Sequence, residues 1–121
     1  MLTIATRGPD QPNLAALPFV ALRGAVESGE FAGHPPAMFL MQEATYLADR
    51  KTDLDAIRAV GLPSIGETMA FLLEHDLEMV VCAPCAAPRG VQAEGLVACA
   101  RMGSAADMAK LTKEHHFVLT F

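Results

Sequence analysis

The sequence lacks tryptophan and has only six Phe and one Tyr, so Ala, Leu, Val and Met must supply most of its core. It also lacks a long apolar run. The longest stretches without a charged residue, 11–22 and 31–42, contain proline and are shorter than the roughly 20 apolar residues of a membrane-spanning helix. The N-terminus shows no basic segment followed by an apolar one, which an export signal requires. We therefore expect a cytoplasmic protein with no membrane span.

Basic residues are scarce as well. Nine Lys and Arg stand against fourteen Asp and Glu, which gives a net charge of -5. Tight nonspecific binding to nucleic acid needs a surplus of cations facing the phosphates, so we expect no direct nucleic-acid partner and no anionic membrane surface. The apolar share of 52% over 121 residues excludes a disordered chain and fits a single domain over 1–121.

Short apolar runs alternate with longer amphipathic segments along the chain. The pattern predicts strands at 2–6, 37–41, 78–82, near 99–102 and at 117–121, and helices at 13–28, 43–48, 53–60, 64–75 and 104–114. Asn13 is a candidate cap for the first helix, and Pro18 should kink that helix or mark its true start. Ser64 with Glu67 forms a capping box, and Ser104 with Asp107 suggests the start of the last helix. Doubly buried strands alternating with helices predict an α/β domain with a mainly parallel sheet.

The three cysteines are Cys82, Cys85 and Cys99, and in a reducing compartment a Cys-x-x-Cys pair indicates redox, sulfur or metal chemistry. Cys82 ends a predicted buried strand, and sites in parallel sheets lie beyond the carboxyl ends of strands. Arg89 follows seven residues later, and Gly90 can adopt a left-handed turn. We expect a helical turn beginning at Pro84, together with Arg89, to lower the pKa of the Cys82 thiol from its ordinary value of about 8.5. The competing interpretation is that the cysteines only fill the core.

The run 79–91, MVVCAPCAAPRGV, resembles the signature of DsrE/DsrF-like proteins, in which a buried strand delivers Cys-x-x-Cys-x-x-x-Arg-Gly and an aliphatic residue. The final segment His116–Phe121 is also similar to that family's last strand. The resemblance implies a single Rossmann-like domain of three layers with a mainly parallel sheet of about five strands. It also implies assembly as a homotrimer or homohexamer.

The same resemblance implies a sulfur carrier of sulfurtransferase type. Cys82 would hold sulfane sulfur as a persulfide, received from a donor protein and passed to an acceptor protein. Arg89 and Gly90 would stabilise the persulfide. Cys85 matches a second cysteine that occurs in some branches of the family, where it could release the sulfur or form a disulfide.

Two other functions stay open at this point. The Cys82–Cys85 pair could serve a thiol–disulfide oxidoreductase, or the chain could be a non-catalytic, oligomeric binding module. Glu43 follows the second strand and is a possible cleft residue, although a carboxylate at a helix start is the simpler interpretation. No G-x-G-x-x-G pattern follows a strand, and no histidine lies at a short fixed spacing from the cysteines. We therefore expect no cofactor and no metal.

Overall fold

The computed structural model describes all 121 residues, and strands alternate with helices along the chain. Five strands and four α-helices follow in the order β1 Leu2–Ala5, α1 Pro12–Ser28, β2 Ala37–Leu40, α2 Ile65–Leu73, β3 Glu78–Cys82, α3 Ala83–Ala86, β4 Ala100–Gly103, α4 Ala105–Glu114 and β5 Val118–Thr120. Short 3₁₀ helices cover Gln42–Ala48, Leu54–Ala56, Ala87–Arg89 and Ala93–Gly95. None of the helices has the length and apolar character needed to cross a membrane.

The five strands form one parallel sheet in the order β4-β3-β2-β1-β5. All carboxyl ends therefore meet at one edge of the sheet, where Cys82 pairs with Gly103 of β4. The last crossover, from β4 to β5, passes over three strands and carries α4. The predicted α/β architecture with about five parallel strands is confirmed.

The two faces of the sheet are covered unequally. On one face, α1 and α2 bury Phe19, Leu22 and Leu72 against strand residues such as Met38 and Val81. On the other face, α4 contributes a single buried residue, Leu111, to a smaller cluster that contains Phe39, Val80 and Cys82. The second layer is thin, so Ile4, Met41 and Met108 are only partly buried there.

Helix α1 departs from the prediction at its start. Pro12 rather than Pro18 lies in its first turn, and the helix continues through Pro18 to Gly29, which caps it with a left-handed φ of 72°. The predicted cap at Asn13 is wrong, because the cap residue is Gln11. The Asn13 side chain instead accepts a hydrogen bond from the backbone N–H of Val60, 47 positions later, at 2.9 Å.

The segment predicted as a helix over 53–60 forms only the single 3₁₀ turn Leu54–Ala56. Ile57 and Ala59 are buried while Arg58 and Val60 are exposed, which is the period-two pattern of an extended chain. Arg58 also pairs with Ser64 in an isolated antiparallel bridge. Tertiary pairing therefore overrides the helical pattern in this segment.

Two other helices begin at the capping residues that the sequence predicts. Ser64 and Glu67 form the capping box at the start of α2, and Ser104 and Asp107 form another at α4. Helix α2 ends at Leu73, two residues before the predicted His75. Strand β3 covers the predicted residues 78–82.

Candidate functional site

Cys82 lies at the carboxyl edge of the sheet, where it ends β3 and caps the N-terminus of α3. Its exposed fraction is 9%, and it packs with Phe39 and Val80 on the face covered by α4. Helix α3 begins at Ala83, one residue before the predicted start at Pro84. The thiol therefore lies at the edge of the core, directly before the single helical turn of α3.

Cys85 is the third residue of α3, and its half-buried side chain contacts the same cluster as Cys82. Both are free thiols, as is Cys99. The structure thus brings the Cys-x-x-Cys pair together on one side of the sheet. Cys99 lies just before β4, packs against the opposite face, and is separate from the pair.

The prediction of a lowered pKa at Cys82 is wrong. Burial raises the pKa of the Cys82 thiol, and the neighbouring Cys85 thiol raises it further. The backbone N–H of Cys85 and the charge of Arg89 act in the opposite direction, and the Arg89 contribution is the smallest of these. Helix α3 has only four residues, so its terminal field is weak compared with the cost of burying a thiolate.

Arg89 is already engaged by two protein groups. Its Nη2 and Nε donate to Oε1 of Glu43 at 2.7 and 3.2 Å, and its Nη1 donates to the carbonyl of Cys85 at 2.9 Å. The guanidinium therefore ties the 3₁₀ helix after β2 to the helical turn after β3. The pairing raises the pKa of Arg89 and lowers that of Glu43.

Gly90 provides the turn that places Arg89. It adopts a left-handed φ of 71° at the end of the 3₁₀ turn Ala87–Arg89, as the sequence predicts. Its N–H donates to the carbonyl of Ala87, and the next N–H, from buried Val91, donates to Ala86. The chain thus folds back so that the Arg89 side chain returns toward α3.

Glu43 lies in the first turn of the 3₁₀ helix Gln42–Ala48, which is the helix-start position, and its carboxylate also reaches Arg89. Its backbone packs directly on Gly8, in the turn after β1. A Cβ at Gly8 would collide with the carbonyl oxygen of Glu43 and lie 2.8 Å from its carbonyl carbon. No sequence pattern indicates this contact, since only the fold brings the two turns together.

The histidines do not join the cysteines. His34 and His75 line a surface cavity of about 580 Å³, which lies between the end of α1, the end of α2 and the loop before β2. His115 and His116 precede β5. All four therefore lie toward the amino edge of the sheet, away from Cys82. No group of three or more His, Cys, Asp or Glu side chains is arranged to hold a metal ion.

The structure is thus a parallel α/β domain with a Cys-x-x-Cys-x-x-x-Arg-Gly turn at the carboxyl edge of its sheet. The model of the DsrE/DsrF-like family matches residues 1–121, so the chain belongs to this family, which is generally linked to sulfur relay.

The fold is similar to two solved structures. The YchN protein of Escherichia coli is 22% identical with a TM-score of 0.71, and the alignment covers 99% of this chain and 97% of YchN. MTH1491 of Methanobacterium thermoautotrophicum, described as a protein of unknown function, is 8% identical with a TM-score of 0.61 over 99% and 97% of the two chains. A search of curated proteins gives no significant match.

Proposed function

We propose that this protein carries sulfane sulfur as a persulfide on Cys82 and passes it to an acceptor protein. The observation that carries the proposal is the position of Cys82. It is a free thiol at the carboxyl edge of the sheet, next to a second free thiol and a guanidinium, in a chain of the DsrE/DsrF-like family.

Loading is an exchange between sulfur atoms. The Cys82 thiolate attacks the outer sulfur of a donor persulfide, a bond forms between that sulfur and Sγ, and the donor leaves as its thiolate. The proton of the Cys82 thiol is released to solvent or taken up by the departing thiolate. No external oxidant or reductant is needed, because the sulfane sulfur keeps its oxidation state.

Arg89 supports the persulfide through those N–H groups that do not already donate to protein atoms. A guanidinium carries five N–H groups, and three of them are used on Glu43 and Cys85. The remaining two can donate to a terminal sulfur anion. The N–H of Gly90 is bonded to Ala87, so the role we assign to Gly90 is the turn that places Arg89.

Discharge has two routes. An acceptor nucleophile can attack the outer sulfur, which returns Cys82 as a thiolate. Alternatively, the Cys85 thiolate can attack Sγ of Cys82. Hydrosulfide then leaves, the sulfane sulfur is reduced, and the two thiols are oxidised to a disulfide that an external dithiol must reduce.

We also propose that the protein acts in the cytoplasm as a homotrimer or homohexamer. The thinly covered face and the β5 edge support association, because Phe117 and Leu119 are 62% and 44% exposed there. Sedimentation equilibrium measures the assembly directly.

Cyanide tests the function, because it attacks the outer sulfur of a persulfide and releases thiocyanate with a thiolate leaving group. After incubation with a polysulfide and removal of the excess, we expect about one thiocyanate per chain from the wild type and none from Cys82→Ser. Cys99→Ser is the matched control, because it removes a free thiol that packs on the other face. Full release from Cys82→Ser would refute the proposal.

A thiol–disulfide oxidoreductase is the second candidate, and the contact of both free thiols with one cluster favours it. It predicts that polysulfide leaves a Cys82–Cys85 disulfide with no retained sulfur and that the pair turns over with a small disulfide and a reductase. Retained sulfur in Cys85→Ser would support carriage instead.

A further inference from the structure

We propose that Glu43 is a positioning residue that restrains the reactivity of Cys82 by neutralising Arg89. The inference rests on the proposed function, since it states how the sulfur-bearing thiol is regulated. In this account the carboxylate decides how much of the guanidinium charge reaches the sulfur.

The contacts of Arg89 carry this inference. Two of its nitrogens converge on a single oxygen of Glu43, at 2.7 and 3.2 Å. The Arg89 side chain is only 23% exposed, so solvent screens the pair less than it would screen an ion pair on the open surface. A cation beside a thiol favours the thiolate, whereas a cation bound to a carboxylate forms a nearly neutral unit with little net field.

Glu43 is held firmly in this position. Gly8 packs against its backbone, and the preceding residue, Gln42, takes a left-handed φ of 50° where the chain turns out of the β2 edge. The Thr45 hydroxyl donates to the carbonyl of Gln42 at 2.8 Å, and Ala44 and Thr45 are fully buried. The carboxylate therefore projects from a fixed turn toward Arg89.

The other titratable groups at this edge come from several elements. Arg7, in the turn after β1, lies near Glu43, and Tyr46, in the 3₁₀ helix, lies near Arg89. Asp107 of α4 lies beside Gly103, the cross-strand neighbour of Cys82, but it is bound by Arg101 and Ser104. Cys85 is the remaining titratable neighbour of Cys82. Arg89 is the cation that acts on the Cys82 sulfur, and Glu43 is the anion bonded to it.

Glutamine at position 43 removes the negative charge of the side chain but keeps its size and shape. Its side-chain oxygen can still accept from Arg89, so the geometry is kept while the negative charge is lost. An unopposed cation close to a thiol lowers its pKa by about one unit or more. We therefore expect Glu43→Gln to make Cys82 react about tenfold faster with an alkylating reagent at neutral pH.

The experiment measures the rate of iodoacetamide alkylation against pH. All variants carry Cys85→Ser and Cys99→Ser, so that Cys82 is the single thiol. Glu78→Gln is the matched control. Glu78 is also paired with an arginine, Arg101, and its side chain is 45% exposed, against 44% for Glu43. It begins β3, the strand that Cys82 ends. We expect the profile to move to lower pH in Glu43→Gln and to stay in place in Glu78→Gln.

A variant that lacks both charged groups completes a double-mutant cycle. If Glu43 acts through Arg89, Glu43→Gln with Arg89→Gln will give the profile of Arg89→Gln alone. A profile for Glu43→Gln that is unchanged or moved to higher pH would overturn the inference, and so would the same shift in the absence of Arg89. If Glu43→Gln fails to fold, Glu43→Ala replaces it, because it also removes the negative charge beside Arg89 and should shift the profile in the same direction.

Sulfur loading measured on the same variants keeps the two claims separate. Loading without a shift in the alkylation profile would refute the regulation by Glu43 and leave the carrier function intact. A shifted profile without any retained sulfur would refute the carrier function and leave the coupling between Glu43 and Cys82 intact.

Discussion

Replacing Gly8 by alanine is expected to disturb the site from a distance. Gly8 is buried, and its α-hydrogen faces the backbone carbonyl of Glu43, where a Cβ would collide with the oxygen. Backbone cannot swing aside as a flexible side chain can, so the 3₁₀ helix Gln42–Ala48 must shift. Glu43 lies in its first turn, and its contact with Arg89 should lengthen.

The size of the effect follows from overpacking, which costs about 1–3 kcal/mol. The unfolding entropy near 60 °C is about 2.1 cal/mol/K per residue, or about 250 cal/mol/K for this chain, so each kcal/mol changes Tm by about 4 °C. We therefore expect Gly8→Ala to lower Tm by about 4–12 °C.

Gly24→Ala is the control for this substitution. Gly24 lies inside α1, is exposed, and has no atom within 4 Å of the position that a Cβ would occupy. Alanine is the better helix former by about 1 kcal/mol, so Tm should rise by about 4 °C. The assay is thermal unfolding followed by circular dichroism at one protein concentration. A Tm for Gly8→Ala equal to or above that of the wild type would refute the packing argument.

Two further predictions concern stability. Ser64→Ala removes the hydroxyl that accepts from Glu67 N–H at 3.1 Å, and should cost about 1 kcal/mol in urea unfolding, whereas exposed Ser28→Ala should cost less than about 0.5 kcal/mol. Equal midpoints for the two variants would contradict this. Because burial raises the pKa of Cys82 above its ordinary value of about 8.5, the stability contributed by its neutral thiol is present below about pH 8.5 and is lost as pH rises through the raised pKa. Alkaline unfolding should therefore be less steep in Cys82→Ala, and an identical pH profile would contradict the assignment.

Local signals made much of the fold predictable. Strand β3 is an apolar run bounded by Glu78 and by the turn at Pro84, and its bounds agree with the prediction. The capping box at Ser64 forms as predicted, and the last helix begins after Ser104 as predicted, because each start is fixed by residues within one helical turn. These features need no knowledge of distant parts of the chain.

The wrong predictions concern residues whose structure depends on contacts with distant parts of the chain. Residues 57–60 are extended rather than helical because Arg58 pairs with Ser64 and because Ile57 and Ala59 face the core. Asn13 binds the backbone of Val60 instead of capping its own helix. Sequence patterns contain the residues of these contacts, but they do not show which distant segments meet.

The sequence predicts which residues of the candidate site lie close together, but it does not predict the electrostatics around them. Cys82, Cys85, Arg89 and Gly90 are placed by a short local turn, which a spacing argument can foresee. The direction of the pKa shift at Cys82 is set first by burial, and Arg89 is engaged by Glu43, 46 positions away. Both are properties of the folded edge of the sheet and not of the motif.

Intact-protein mass spectrometry after exposure to a persulfide donor tests the central claim most directly, on the wild type, Cys82→Ser and Cys85→Ser. The account predicts a gain of one or more sulfur atoms in the wild type that is abolished by Cys82→Ser and retained or increased in Cys85→Ser. A gain of sulfur that survives Cys82→Ser, or the absence of any gain in Cys85→Ser, where no second thiol can release the sulfur, would contradict it.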